Sequence, residues 1–182
     1  MTKLKLFIVT FLITTALAST AIYVKRDKPP VSTLRLVPVT EDLFITSQLQ
    51  LASIPELKAR GINTIVDIRP DGEATDQVPS SDMERAAHAS NLGFGYIPVP
   101  HEYIPDNAVE ALGMVLAQDR KPAVLYCRTG RRAVRLLALV EASRANGPAM
   151  DSILQMVSSA GFSADDLREA IAQRISKRTA AK

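Results

Sequence analysis

The stretch Ala123-Val124-Leu125-Tyr126-Cys127-Arg128-Thr129-Gly130-Arg131-Arg132-Ala133 decides how the chain is read. Four apolar residues deliver a cysteine, a short cationic turn follows, and an amphipathic run continues from Arg131 to Arg144. That pattern predicts a buried strand, a tight loop and a helix, with Cys127 at the strand's carboxyl end. Loop N–H groups and the first helical turn then face inward, offering donors and the positive end of the helix dipole to an anion. The same field favours a thiolate over a thiol. Gly130 lets the backbone curl close to a ligand, and Arg132 brings a two-pronged fork for two oxygens. Arg128, Thr129, Gly130 and Arg131 complete the anion-binding loop. The competing reading of Cys127 is an inert cysteine filling space at a strand end. Three arginines within five residues of it argue against that.

Outward from this point the chain alternates strands and helices. Ile62–Ile68 is β-branched and mostly apolar, as a buried strand should be, and Arg69-Pro70-Asp71-Gly72 breaks it. Leu34–Val37, Leu43–Thr46 and Phe94–Val99 read as further strands. Ser53-Ile54-Pro55-Glu56 and Ser81-Asp82-Met83-Glu84 are capping boxes, opening one helix that ends at Gly61 and another that runs to about Asn91 with Gly93 closing it. Pro105 or Asp106 opens a helix through Leu116, with Asp106 as N-cap, and two more cover Met150–Ser159 and Ala164–Ser176, the last capped by Ser163. The expected class is α/β, a mostly parallel sheet flanked by helices.

Composition narrows the function. Of 22 Lys+Arg and 19 Asp+Glu, residues 1–28 hold five cations and one acid, so the remaining 154 residues are nearly neutral and a nucleic-acid-binding body is not indicated. One cysteine and two histidines leave no thiolate zinc cluster and no histidine-rich metal site, and no cofactor is expected. Neither a Gly-x-x-x-x-Gly-Lys-Ser/Thr cradle nor a Gly-x-Gly-x-x-Gly fingerprint is present, so nucleotide chemistry recedes. Leu6–Val24 is an uncharged run with basic flanks. It reads as a signal anchor spanning a membrane, or as a signal peptide cleaved near Ala16-Leu17-Ala18. The organisation expected is therefore 1–28 anchor or signal, 29–33 linker and 34–178 α/β domain, placed in the cell envelope as a tethered, periplasmic or secreted domain.

In ordered blocks from Leu43 to Leu139 the chain resembles the phosphatase-like domain of beta-lactamase-hydrolase-like proteins, a bacterial relative of the dual-specificity cysteine phosphatases. The blocks are Ile45-Thr46-Ser47-Gln48-Leu49, Val66-Asp67-Ile68-Arg69-Pro70-Asp71-Gly72-Glu73, Gly93-Phe94-Gly95-Tyr96-Ile97-Pro98-Val99 and Leu125 to Ala133. The resemblance implies a cysteine-phosphatase-like fold, a Cys127 nucleophile forming a covalent phosphoryl intermediate, and Arg132 clamping the phosphoryl group. It also implies a general acid in the loop before the Asp106 helix, where His101 and Glu102 are the candidates. Asp71 and Glu73 either orient Arg132 or the substrate, or simply form the turn; His88 reads as packing. Cys127 and Arg132 enclose four residues where tyrosine and dual-specificity phosphatases place five, and Ala133 and Tyr126 stand where those enzymes carry Ser/Thr and His. A six-residue loop is the size used by rhodanese-like sulfurtransferases.

The function expected is a cysteine-dependent phosphatase-like hydrolase acting on a phosphorylated substrate. The alternatives are a sulfurtransferase carrying a Cys127 persulfide and taking a small sulfur-containing anion, or a module that binds phosphate without turnover.

Overall fold

A computed structural model describes residues 34–118 and 120–180 of the 182. The leader and linker readings at 1–33 lie outside the described residues. Among the described residues no helix is long and apolar enough to cross a membrane.

Five strands form one sheet: β1 (Val37–Pro38), β2 (Leu43–Thr46), β3 (Thr64–Asp67), β4 (Gly93–Tyr96) and β5 (Ala123–Tyr126). Their spatial order is β1-β2-β5-β3-β4. Only β1 runs antiparallel, pairing with β2; β2, β5, β3 and β4 are parallel. The helices are α1 (Ile54–Ala59), α2 (Ser80–Ala89), α3 (Asp106–Ala117), α4 (Arg131–Ser143), α5 (Met150–Ser159) and α6 (Arg168–Ala180).

Strand alternation divides the core in two. Ala123 and Leu125 of β5, and Cys127 just after it, join the cluster built with α3, α4, α5 and α6, while Val124 and Tyr126 join the cluster built with α1 and α2. Both faces of β3 and β5 are covered, which explains why all four residues of each are buried. The carboxyl ends of three strands stand in register, Thr46 beside Tyr126 and Tyr126 beside Asp67. Because β5 lies between β2 and β3, Cys127 emerges at the centre of that edge, where open α/β sheets hold their ligands.

Several boundaries differ from the sequence expectation for physical reasons. The first strand forms at Val37–Pro38 rather than Leu34–Val37, because that is the segment paired with Phe44 and Ile45. A 3-10 turn at Leu51–Ser53 precedes α1, and the Ser53 hydroxyl accepts a bond from the Gln50 N–H (3.2 Å) instead of capping the helix. Helix α2 starts at Ser80 without a local side-chain cap. Asp71 from the distant β3 loop supplies one: its Oδ1 accepts the Ser80 N–H (2.8 Å) and its Oδ2 the Ser80 hydroxyl (2.6 Å). Asn91, at φ 57°, turns the chain after α2, while Gly93 opens β4. Pro105, not Asp106, is the N-cap of α3. Residues 165–167 form a 3-10 turn, so the last helix begins at Arg168 rather than Ala164.

Candidate active site

Cys127 closes β5 and is 1% exposed, with its sulfur beneath the start of α4. The Gly130 N–H donates to Sγ at 3.2 Å. Gly130 has φ 93°, and a Cβ there would meet Ile45 Cγ2 at 2.9 Å, so this turn requires glycine. The Gln48 N–H donates to the Arg128 carbonyl at 3.3 Å. Of the loop N–H groups, that of Gly130 faces the sulfur, while that of Arg131 donates to Thr129 Oγ1 at 3.4 Å.

Arg132 is 8% exposed and fixed from behind. Its Nη1 donates to Glu73 Oε1 (2.6 Å) and to the Val99 carbonyl (2.7 Å), and its Nη2 to Glu73 Oε2 (2.7 Å). A guanidinium has five N–H donors. The Nε–H and the second Nη2–H lie side by side on the remaining edge, a ready fork for two oxygens. Burial works against the Arg132 charge, but the bonds it donates to Glu73, together with the adjoining Cys127 sulfur, more than offset this and raise its pKa.

Glu73 is the pivot of this floor. Oε2 also accepts Arg69 Nε (2.9 Å), and His101 Nε2 lies 3.6 Å from Oε1. Burial opposes its charge, yet the bonds from Arg132 and Arg69 prevail and hold the carboxyl down at about 2. Arg69, also buried, donates Nη1 to Gln48 Oε1 (2.7 Å), and its backbone N–H reaches Asp67 Oδ1 (2.8 Å). Asp67 Oδ2 accepts the Tyr126 hydroxyl at 2.7 Å. Burial pushes Asp67 up to about 6 despite these two bonds. Burial and the neighbouring Asp67 carboxylate push Tyr126 well above its ordinary value. A continuous chain of partners thus runs from Tyr126, next to Cys127, through Asp67, Arg69 and Glu73 to Arg132.

Above this floor opens a cleft of about 1060 Å³. Cys127, Arg128, Thr129, Arg131 and Arg132 line it together with His101 and Glu102, so the sequence candidates converge, apart from Gly130, which is buried in the loop, and Asp71. Asp71 does not line the cleft; its carboxylate is engaged by Ser80. Asp106 lines it but pairs with Arg174. His88 is exposed on α2 rather than packed, because the helix turns Met83 and Ala87 inward and leaves it outside.

Sequence reasoning left Glu73 undecided between turn former and orienter and did not single out Gln48, Asp67 or Arg69. The available signal was two charged residues, Asp67 and Arg69, at the end of an otherwise apolar strand, inside a block that resembles the phosphatase-like family.

Residues 34–144 match the family model described as beta-lactamase hydrolase-like protein, phosphatase-like domain. The chain belongs to this phosphatase-like family. A beta-lactamase hydrolase-like protein of Agrobacterium fabrum is 33% identical over 109 residues, which are 60% of this chain and 25% of that protein. The chain therefore spans about a quarter of the length of the curated relatives it matches. Among solved structures, a candidate phosphatase of Neisseria meningitidis is 29% identical, with a TM-score of 0.66 over 76% of this chain and 96% of its own. A kinase-associated phosphatase carrying serine for its catalytic cysteine is 12% identical, with the same TM-score of 0.66 over 85% and 99% of the two chains. The fold of the phosphatase-like domain is that of the cysteine phosphatases.

Proposed function

We propose that this phosphatase-like domain hydrolyses phosphate esters through a Cys127 thiolate. The observation that carries the reading is the placement of one sulfur between the Gly130 N–H and a guanidinium whose other edge is locked to Glu73. The thiolate attacks phosphorus as the P–O bond to the leaving group breaks, and the departing oxygen takes a proton from Glu102. Loop N–H groups and the free edge of Arg132 hold the nonbridging oxygens as their charge develops. Water, giving a proton to the Glu102 carboxylate, then attacks phosphorus; the S–P bond breaks and the thiolate returns. Glu102 is the preferred acid because it faces the cleft with no hydrogen-bond or ion-pair partner among the described residues, whereas His101 sits against Glu73 and Asp106 against Arg174.

Hydrolysis of an aryl phosphate by the full chain, lost in Cys127→Ser, tests the reading. Glu102→Gln should slow substrates with poor leaving groups more than those with good ones; a uniform effect would move the role to His101. The four-residue spacing supports a second reading, sulfur transfer through a Cys127 persulfide, and thiocyanate formation from thiosulfate and cyanide would establish it instead. The leader's uncharged run supports an envelope location, tethered or released. Membrane fractionation with intact-mass measurement decides between them.

A further inference from the structure

We infer that the site takes a phosphate monoester of a single apolar chain. The phosphate sits over Cys127, and the chain lies along α4 in the stretch of the cleft that Ile104, Leu139, Leu167 and Ala170 line. The inference rests on the phosphatase reading and names its substrate class.

The cleft is elongated, and bonded contacts fix the order of its parts. Helix α4 is the floor, with Arg132, Arg135, Leu139 and Ser143 lining the cleft at steps of three and four residues, which keeps them on one face. One wall is the segment from Val99 to Asp106. At the near end the Val99 carbonyl accepts from Arg132 (2.7 Å). At the far end Arg174 bonds Asp106 and also donates to the Ser143 hydroxyl (3.0 Å). The other wall runs from Asp166 to Arg174. Asp166 meets Arg135 in a two-pronged pair (2.6 and 2.5 Å), and Arg174 reaches Ser143. Both walls therefore follow α4 away from Cys127, tied to it at a near end and at a far end.

Between those ties lie the apolar residues of the lining: Ile104 on the first wall, Leu139 on the floor, and Leu167 and Ala170 on the second wall. All four belong to one apolar cluster, Leu139 buried in it and the other three half-buried against it. The arginines at the ties are committed to carboxylates, Arg135 to Asp166 and Arg174 to Asp106, so the charges flanking this stretch already have partners. Gln173 and Lys177 of α6 come at and beyond the far tie. An apolar stretch open to water inside a cleft, continuous with a polar anion site, is the lining an amphiphilic ligand needs.

The helix also sets a length. From Arg132 to Leu139 α4 rises about 10 Å, and to Ser143 about 16 Å. An extended chain advances about 1.2 Å per bond, as an extended backbone does, so about eight bonds reach the level of Leu139. A cleft of about 1060 Å³ has room for such a chain beside the phosphate.

The test uses the full chain and two readouts. In calorimetry on Cys127→Ser, below the concentration at which micelles form, octyl phosphate should bind roughly tenfold more tightly than methyl phosphate, with butyl phosphate between them. A glycol-ether phosphate as long as the octyl ester should bind no better than methyl phosphate. Leu167→Ser and Ala170→Gln should each shrink the octyl-to-methyl ratio several-fold, and Leu167→Met should retain it. In turnover by the unsubstituted chain the octyl-to-methyl ratio of kcat/KM should follow the same order, since the two leaving alcohols are of near-equal acidity. Octyl phosphate in solution and lysophosphatidate in phosphatidylcholine vesicles separate a dissolved amphiphile from a bilayer lipid as the source, and hydrolysis of either with the chain preference present supports the inference. Equal affinity for methyl and octyl esters, an equal gain from the glycol chain, or a ratio untouched in both Leu167→Ser and Ala170→Gln overturns it. So does a phosphotyrosine peptide that binds more tightly than octyl phosphate. Turnover without the preference refutes this inference alone, whereas the binding preference without turnover refutes hydrolysis and leaves the apolar groove standing.

Discussion

Arg131 and Arg132 are neighbours in the chain and opposite in circumstance. Arg132 lies in the floor, buried, with Glu73 and Val99 fixing three of its donors; Arg131 stands on the rim, exposed, with no side-chain partner among the described residues. The difference teaches that burial rather than residue type sets what a cation does here. A guanidinium taken from water needs a fixed counter-charge, so its position is over-determined and it can aim a fork at one point. A rim cation has no such constraint and acts at longer range, through a field that salt weakens.

The largest break in this contrast should come from Arg132→Lys. An ammonium cannot hold Glu73 end-on and present a second edge, so kcat should fall by about 10²–10³. Aryl phosphate kinetics at saturating substrate would show it, and an unchanged kcat would remove Arg132 from the site.

Glu73→Gln attacks the floor from the other side. It leaves Arg132 and Arg69 buried without a charge between them and should cost about 3 kcal/mol in denaturant unfolding. The pH profile gives a sharper readout. With its carboxyl lowered to about 2 in the fold, Glu73 contributes stability that is complete above its ordinary value near 4.5 and lost as pH falls toward 2. Asp67, raised to about 6, acts in the opposite sense: its contribution is present below its ordinary value near 3.8 and fades as pH rises through 6. The parent should therefore gain stability slightly from pH 7 to 5 and lose it below about 4.5. Glu73→Gln should keep the first limb and flatten the second.

Tyr126→Phe is the next smaller step. It removes the hydroxyl that Asp67 accepts and should cost about 1–3 kcal/mol, while moving the Asp67 limb to higher pH. The rim should give the smallest effect: Arg131→Ala should lower kcat/KM for an aryl monophosphate only a few-fold, and the loss should shrink as salt rises. A salt-independent loss would place Arg131 in the floor's class.

Much of the fold was legible because period and punctuation agree. Residues 64–66 are β-branched, 123–126 are apolar, and Gly130 and Arg131 mark the turn into α4. The strand–turn–helix that carries Cys127 and Arg132 was legible for the same reason, since its signals are local. What escaped was the long-range part. Asp71 caps a helix nine residues away, and Glu73 meets Arg132 across 59 positions. The parallel register of β3 and β5 brings Glu73 to Arg132, and nothing local announces that register. A turn sequence such as Arg-Pro-Asp-Gly-Glu reads the same whether its acids face solvent or a buried arginine.

The most direct test of the Cys127 mechanism is mass spectrometry of the full chain quenched during turnover of an aryl phosphate. The S–P intermediate should be visible because Ala133, buried just after the arginine, offers no hydroxyl to speed its breakdown. We expect a phosphoryl group on the Cys127 peptide, and neither adduct nor turnover in Cys127→Ser. Turnover that continues in Cys127→Ser, or a phosphoryl group carried on another residue, would contradict the account.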